Sequence, residues 1–245
     1  MKTIQPGLSI VPIVRVTPSL PISEVLGTGF FVGKDKHIVL LTAKHVFQNN
    51  PLGDKERYAY VISRGKSVEV WAIKKAVGNE EYDVAVCEIE PIPEAIPLSF
   101  STQQPALNDD VFCYEYSNTR FERKPLGGMH ISFEPLSHKG NIMRYFDSTF
   151  PESRPTPSFL TSFPALQGAS GAPVMAGTTN KQIFVAGMIV ANKESRLLPA
   201  QIVKVQDGNE FTEEISYFLP MGKAINASLL VTILKGLNLE IDIVE

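Results

Sequence analysis

Ser170 stands in Gly168-Ala169-Ser170-Gly171-Ala172-Pro173-Val174, a serine among small residues followed by an apolar run, which suits a nucleophile on a tight turn. Gly168 opens backbone conformations closed to residues with a β-carbon, so the amides of Gly168 and Ser170 are expected to converge on one point and receive an oxyanion there. The same composition also describes an ordinary polar surface turn. A serine hydroxyl is a weak nucleophile at neutral pH and needs an adjacent base. His45 is placed for that role in Leu40-Leu41-Thr42-Ala43-Lys44-His45-Val46-Phe47, just beyond the apolar run His37 to Leu41. A carboxylate on the second ring nitrogen would fix the tautomer and stabilise the imidazolium, and Asp83 opens the apolar Asp83-Val84-Ala85-Val86. Glu80 and Glu81 are nearby competitors.

The elements that must bring these residues together read as mostly β. Runs rich in Val, Ile, Phe and Tyr recur between turn signals at Ser9 to Val16, Gly29 to Val32, His37 to Leu41, Tyr58 to Ser63, Ser67 to Ile73 and Asp83 to Glu88. Further runs lie at Val111 to Tyr116, Met129 to Phe133, Ile142 to Phe150, Pro173 to Ala176, Gln182 to Val190 and Gln201 to Val205. Such spacing predicts a sandwich or a barrel. The stretch Pro91 to Pro97 carries three prolines, cannot continue a central strand, and reads as a linker between two halves. His45 and Asp83 fall in the first half and Ser170 in the second, so a cleft between them is the expected ligand site. Gly127-Gly128 reads as a hairpin turn, Asp109-Asp110 as a solvated turn, and Pro151 to Pro157 as an exposed loop ahead of Ser170. Between Met221 and Leu237, Ala224, Ile225, Leu229, Val231, Ile233 and Leu234 form a helical stripe that Gly236 is placed to end.

Three segments carry a family resemblance: Gly27-Thr28-Gly29-Phe30-Phe31-Val32 with Thr42-Ala43-Lys44-His45, then Asp83-Val84-Ala85-Val86, then Gln167-Gly168-Ala169-Ser170-Gly171-Ala172-Pro173-Val174. In that order they resemble the trypsin-like (chymotrypsin-fold) serine peptidases, in particular the stand-alone bacterial branch, and Ala186 to Asn192 is similar to the strand that flanks substrate in that family. The resemblance implies an all-β fold of two packed six-stranded β-barrels with a C-terminal α-helix. It divides the chain into an N-terminal barrel over 1–92, a C-terminal barrel over 98–220 and a helix over 221–237. It implies a serine endopeptidase with His45, Asp83 and Ser170 as catalytic residues, and Gly168 and Ser170 as the oxyanion hole. The family position favours Asp83 over Glu80 and Glu81. Pro164, six residues before the nucleophile, would lie at the base of the pocket for the side chain preceding the cut, with Val190, Ala191 and Asn192 as one wall. An uncharged Pro164 argues against a Lys or Arg preference and for small or apolar side chains. No cofactor is implied, and the partner is a peptide or protein substrate.

Secreted members of the family carry an aspartate just before the nucleophile, which pairs with a newly cut N-terminus; here that residue is Ala169. Activation by N-terminal cleavage is therefore not expected, and a regulatory partner protein that assembles the oxyanion hole becomes conceivable. The same residues also allow a silent peptidase fold used for binding, or a serine esterase.

Composition narrows the field. A chain of 245 residues with 44% hydrophobic content can bury one large core or two small ones. Two cysteines, Cys87 and Cys113, are too few for a disulfide-dense secreted scaffold and point to a reducing, cytoplasmic setting, with Cys87 read as a small core residue. Pro6 and Pro12 interrupt the apolar run behind Lys2, so a signal peptide is not expected. No stretch approaches the ~18 apolar residues of a membrane span. The net charge of −3, with both signs interspersed and no long basic block, makes nucleic acid a poor candidate partner, and none is expected. His37, His130 and His138 show no metal-ligand spacing and read as structural or surface residues.

Overall fold

The apolar runs pair into two closed barrels. The structure is a computed structural model describing residues 5–244, apart from 19–21, 35–36, 65–66, 91, 102, 118, 124–128, 147–155, 178–181, 197–199, 207–208 and 216–217. Strands β1 (Ile10–Val16), β2 (Glu24–Lys34), β3 (His37–Thr42), β4 (Arg57–Arg64), β5 (Ser67–Gly78) and β6 (Ala85–Ile89) pair antiparallel in the order β1-β2-β3-β6-β5-β4 and close through β1 and β4. After β7 (Phe100–Ser101) come β8 (Asp110–Glu115), β9 (Arg120–Arg123), β10 (Met129–Ser132), β11 (Leu136–Phe146), β12 (Ser158–Thr161) and β13 (Pro173–Gly177). They are followed by β14 (Ile183–Arg196), β15 (Ala200–Gln206), β16 (Asn209–Ile215), β17 (Phe218–Asn226) and β18 (Ile243–Val244). Six of these form the second barrel in the order β13-β8-β11-β12-β17-β14, closed by pairing of β13 with β14. Short β7 joins β14 in parallel, β18 joins β7, and β9–β10 and β15–β16 are separate ribbons.

Burial follows the period of two that a half-buried strand requires. In β8, Val111, Cys113 and Glu115 point inward while Asp110, Phe112 and Tyr114 are less buried. Strand β2 departs from alternation, being buried continuously from Leu26 to Gly33. Phe30 and Phe31, successive and so on opposite faces of the strand, both join the first core, and its Thr28 N–H donates to the carbonyl of Ser170 at 2.9 Å. The second core gathers Val111, Cys113, Ile142, Phe159, Val174 and Ala186. Each large apolar side chain sequestered this way contributes about 1.5–3 kcal/mol before entropy is counted.

Several sequence expectations shift. The helix expected from Met221 begins six residues later, as α2 (Ala227–Gly236), and Met221 to Asn226 belong to β17. Ala224 and Ile225, part of the supposed helical stripe, pair instead with Phe159 and Ser158 of β12 and supply the ladder the barrel needs. Asn226 is the pivot: its backbone is extended (ψ 142°) and its side-chain oxygen accepts the Ser228 N–H at 2.9 Å, capping the helix. The second barrel thus runs past 220 to 226. Strand β11 starts at Leu136 rather than Ile142, and β12 and β16 answer to no predicted run. The linker is tacked along the first barrel through Ile96 N–H to the Leu8 carbonyl and Leu98 N–H to the Phe31 carbonyl. Gly127-Gly128, Pro91 and the first five residues of the loop at 151–157 lie outside the described residues.

Candidate active site

His45 opens α1 (His45–Gln48), a single helical turn set where β3 ends. Asp83 does not open a strand as expected; it lies in the loop ahead of β6, which starts at Ala85. Asn79 shapes that loop: its side-chain oxygen accepts the N–H groups of Glu81 and Tyr82, its own N–H donates to the Val84 carbonyl, and its carbonyl accepts from Lys44 Nζ at 2.9 Å. Glu80 and Glu81 are left exposed, whereas Asp83 turns toward His45.

The three side chains meet. His45 Nδ1 lies 2.7 Å from Asp83 Oδ2, and Asp83 Oδ1 accepts the His45 backbone N–H at 2.9 Å. His45 Nε2 lies 2.7 Å from Ser170 Oγ, although the two residues are 125 positions apart. An ionised carboxylate only accepts, so Nδ1 carries the proton and Nε2 is free to accept from the serine hydroxyl. Burial alone would push the Asp83 carboxyl upward. The hydrogen bonds from the His45 side chain and backbone, with the charges of His45 and Lys44, outweigh it and hold the carboxyl below its ordinary value.

Ser170 rides on a turn that glycine alone permits. Gly168 and Gly171 have φ of +97° and +87°. A β-carbon at Gly168 would come within 3.1 Å of Ser117 Cα, and one at Gly171 would run into Thr42 Oγ1 and the Thr28 carbonyl. Ala169 N–H donates to the Leu166 carbonyl and Gly171 N–H to the Ile189 carbonyl. Among the described residues no protein group accepts the N–H of Gly168 or of Ser170, the two amides expected to receive an oxyanion. Ala169 is buried in the second core.

Thr28 holds this turn from the first barrel, a role sequence reasoning missed. Its Oγ1 donates to the Gly168 carbonyl at 2.8 Å and accepts the Tyr116 N–H at 3.1 Å, while its own carbonyl accepts from Thr42 Oγ1 at 2.7 Å. The available signal was a hydroxyl inside an apolar strand. His138, expected to be a structural or surface residue, is half-buried with Glu115 as its partner.

The predicted pocket residues flank the turn. Pro164 and Val190 are half-buried and Ala191 and Asn192 exposed, with a register shift in β14 between Ile189 and Ala191. The bonds across the wall run to Ala165, one residue beyond Pro164: Ala165 N–H donates to Asn192 Oδ1 at 2.7 Å, and Asn192 Nδ2 donates back to the Ala165 carbonyl at 2.5 Å. On the other side of the turn a groove of about 320 Å³ is lined by Leu26, Asn50, Tyr116, Ser117, Gln167 and Gly168.

Two closed six-stranded barrels with a serine, an imidazole and a carboxylate in one hydrogen-bonded line define the chymotrypsin-type class of serine peptidases. The family model for the trypsin-like peptidase domain matches residues 27–186, more than half of the chain, and the protein belongs to that family. No curated protein matches the sequence. Among solved structures, the active form of the Rv3671c protease from M. tuberculosis is similar at 17% identity and a TM-score of 0.55, over 96% of this chain and 83% of that one. Deg5 is similar at 16% identity and a TM-score of 0.58, over 92% and 87%. The MamO protease domain from Magnetospirillum magneticum is similar at 12% identity and a TM-score of 0.53, over 93% and 96%. At these identities the likeness bears on the fold.

Proposed function

We propose that this serine endopeptidase cuts peptide bonds with Ser170 as nucleophile, His45 as proton carrier and Asp83 as the group that orients His45. The observation that carries the reading is the pair of 2.7 Å contacts on opposite nitrogens of one imidazole. Ser170 Oγ bonds to the substrate carbonyl carbon as its proton passes to His45 Nε2, and the carbonyl oxygen becomes an anion facing the amides of Gly168 and Ser170. Collapse breaks the C–N bond, His45 protonates the leaving amine, and water then releases the acyl group by the same steps in reverse roles. No step calls for a cofactor. The residue before the cut would sit between Pro164 and the Val190–Asn192 wall. The buried free thiols of Cys87 and Cys113 support work in a reducing, cytoplasmic compartment. The apolar burial of Ala169 supports activity without N-terminal cleavage.

A fluorophosphonate probe tests this directly, because Ser170 Oγ displaces fluoride at phosphorus only if His45 removes its proton. Labelling is expected on the peptide containing Ser170 and is expected to vanish in Ser170→Ala, along with turnover of peptide substrates. Undiminished labelling or peptide turnover in a folded Ser170→Ala protein would overturn the assignment.

A further inference from the structure

Glu115 and His138 lie in the second barrel, outside the His45–Asp83–Ser170 line. Glu115 ends β8 with its side chain only 1% exposed, and His138, on the neighbouring β11, brings Nε2 to 2.8 Å from Glu115 Oε1. The same oxygen accepts from Ser117 Oγ at 2.9 Å. A carboxyl group withdrawn from water this completely persists only where partners replace its hydration. These partners also reach the segment that carries the oxyanion-facing amides.

They reach it at both ends. At its start the ring of Phe163 stacks on the His138 ring, centroids 5.8 Å apart and planes 17° off parallel. At its end Gly168 lies against Ser117, and its carbonyl is held by Thr28 Oγ1, which accepts from Tyr116. Glu115, Tyr116 and Ser117 are consecutive, so one short stretch of chain braces Gly168 directly and Phe163 through His138. Ala169, buried in the same apolar cluster as Phe163, has no polar side chain with which to anchor the segment.

We propose that Glu115 and His138 are a positioning pair that holds residues 163–169 so that the Gly168 and Ser170 amides face the developing oxyanion. The proposal rests on the reading of those two amides as the oxyanion hole. As a positioning pair they act on the precision of donors that work in the transition state, so their effect belongs in kcat more than in KM.

The test uses the 245-residue chain with His138→Leu, His138→Gln and Glu115→Leu, following kcat and KM on a cleaved peptide, the rate of fluorophosphonate labelling and the melting temperature. His138→Leu is expected to lower kcat about tenfold or more with KM within about twofold, as misplacement of catalytic donors does. Labelling should slow in parallel, since the phosphoryl oxygen needs the same amides. His138→Gln keeps an N–H toward Glu115 and should recover most of the loss. If His138→Leu does not fold, Glu115→Leu, which removes the acceptor of both bonds, decides by the same kcat criterion. Folded variants with lower melting temperature but unchanged kcat and labelling rate would overturn the pairing role. Failure of the wild-type protein to label at Ser170 would instead sink the underlying site reading.

Discussion

Asp83 shows how a single side chain settles between opposing effects. Burial penalises its charge, yet two bonds from His45 and the charges of His45 and Lys44 prevail, and its carboxyl is held below the usual carboxylate range. A depressed folded-state pKa adds stability that is complete above the unfolded value of 3.8 and drains away as pH falls through the folded one. Asp83→Asn removes that dependence, so the acid limb of a plot of urea midpoint against pH should flatten relative to wild type. The amide also no longer enforces the Nδ1–H tautomer of His45, and kcat at neutral pH should drop by about 10⁴. Superimposable acid limbs with near-normal kcat would show that the contact does neither.

At the scale of elements, the proposed substrate-binding wall depends on how β14 meets the segment before Ser170. Its ladder slips between Ile189 and Ala191, and the chain beyond reaches across to Ala165 through both ends of the Asn192 amide. Those two hydrogen bonds lie beside an uncharged Pro164, and none of Pro164, Val190, Ala191 and Asn192 carries a carboxylate to receive a basic side chain. Cleavage of a randomised peptide library should therefore show small or apolar residues before the cut. Dominance of Arg or Lys there would contradict this account of the wall.

The whole molecule works because the two barrels share one junction. Thr28 of the first barrel bonds Gly168 and Tyr116 of the second, and Tyr116 Oη, just beyond the end of β8, donates to the Ile10 carbonyl of β1 at 3.1 Å. The larger core cluster likewise joins Phe30 and Leu40 to Met188, Ile225 and Leu230 of α2. Thr28→Val is close to isosteric and leaves the Gly168 carbonyl and Tyr116 N–H without this partner, a loss of about 1–3 kcal/mol. It should lower the melting temperature by about 2–4 °C per kcal/mol and reduce kcat in the same protein. A variant with unchanged melting and unchanged kcat would show that Thr28 is not the hinge between barrels and nucleophile turn.

What the linear chain determined by itself was chemistry and local habit. The small residues around Ser170, the histidine beyond an apolar run and the strand-length apolar segments are all short-range patterns, legible without any distant partner. Tertiary structure decided what depends on distant partners. Asp83 prevails over Glu80 and Glu81 because Asn79 folds the loop so that only Asp83 turns to His45. Met221 to Asn226 extend rather than coil because β12 and β14 offer them a ladder on both sides, and a sixth strand closes the barrel. His138, unremarkable in sequence, acquires its place from Glu115, 23 residues away on the next strand. Which remote strands pair with one another leaves no local pattern in the chain, so the folded molecule is what reveals it.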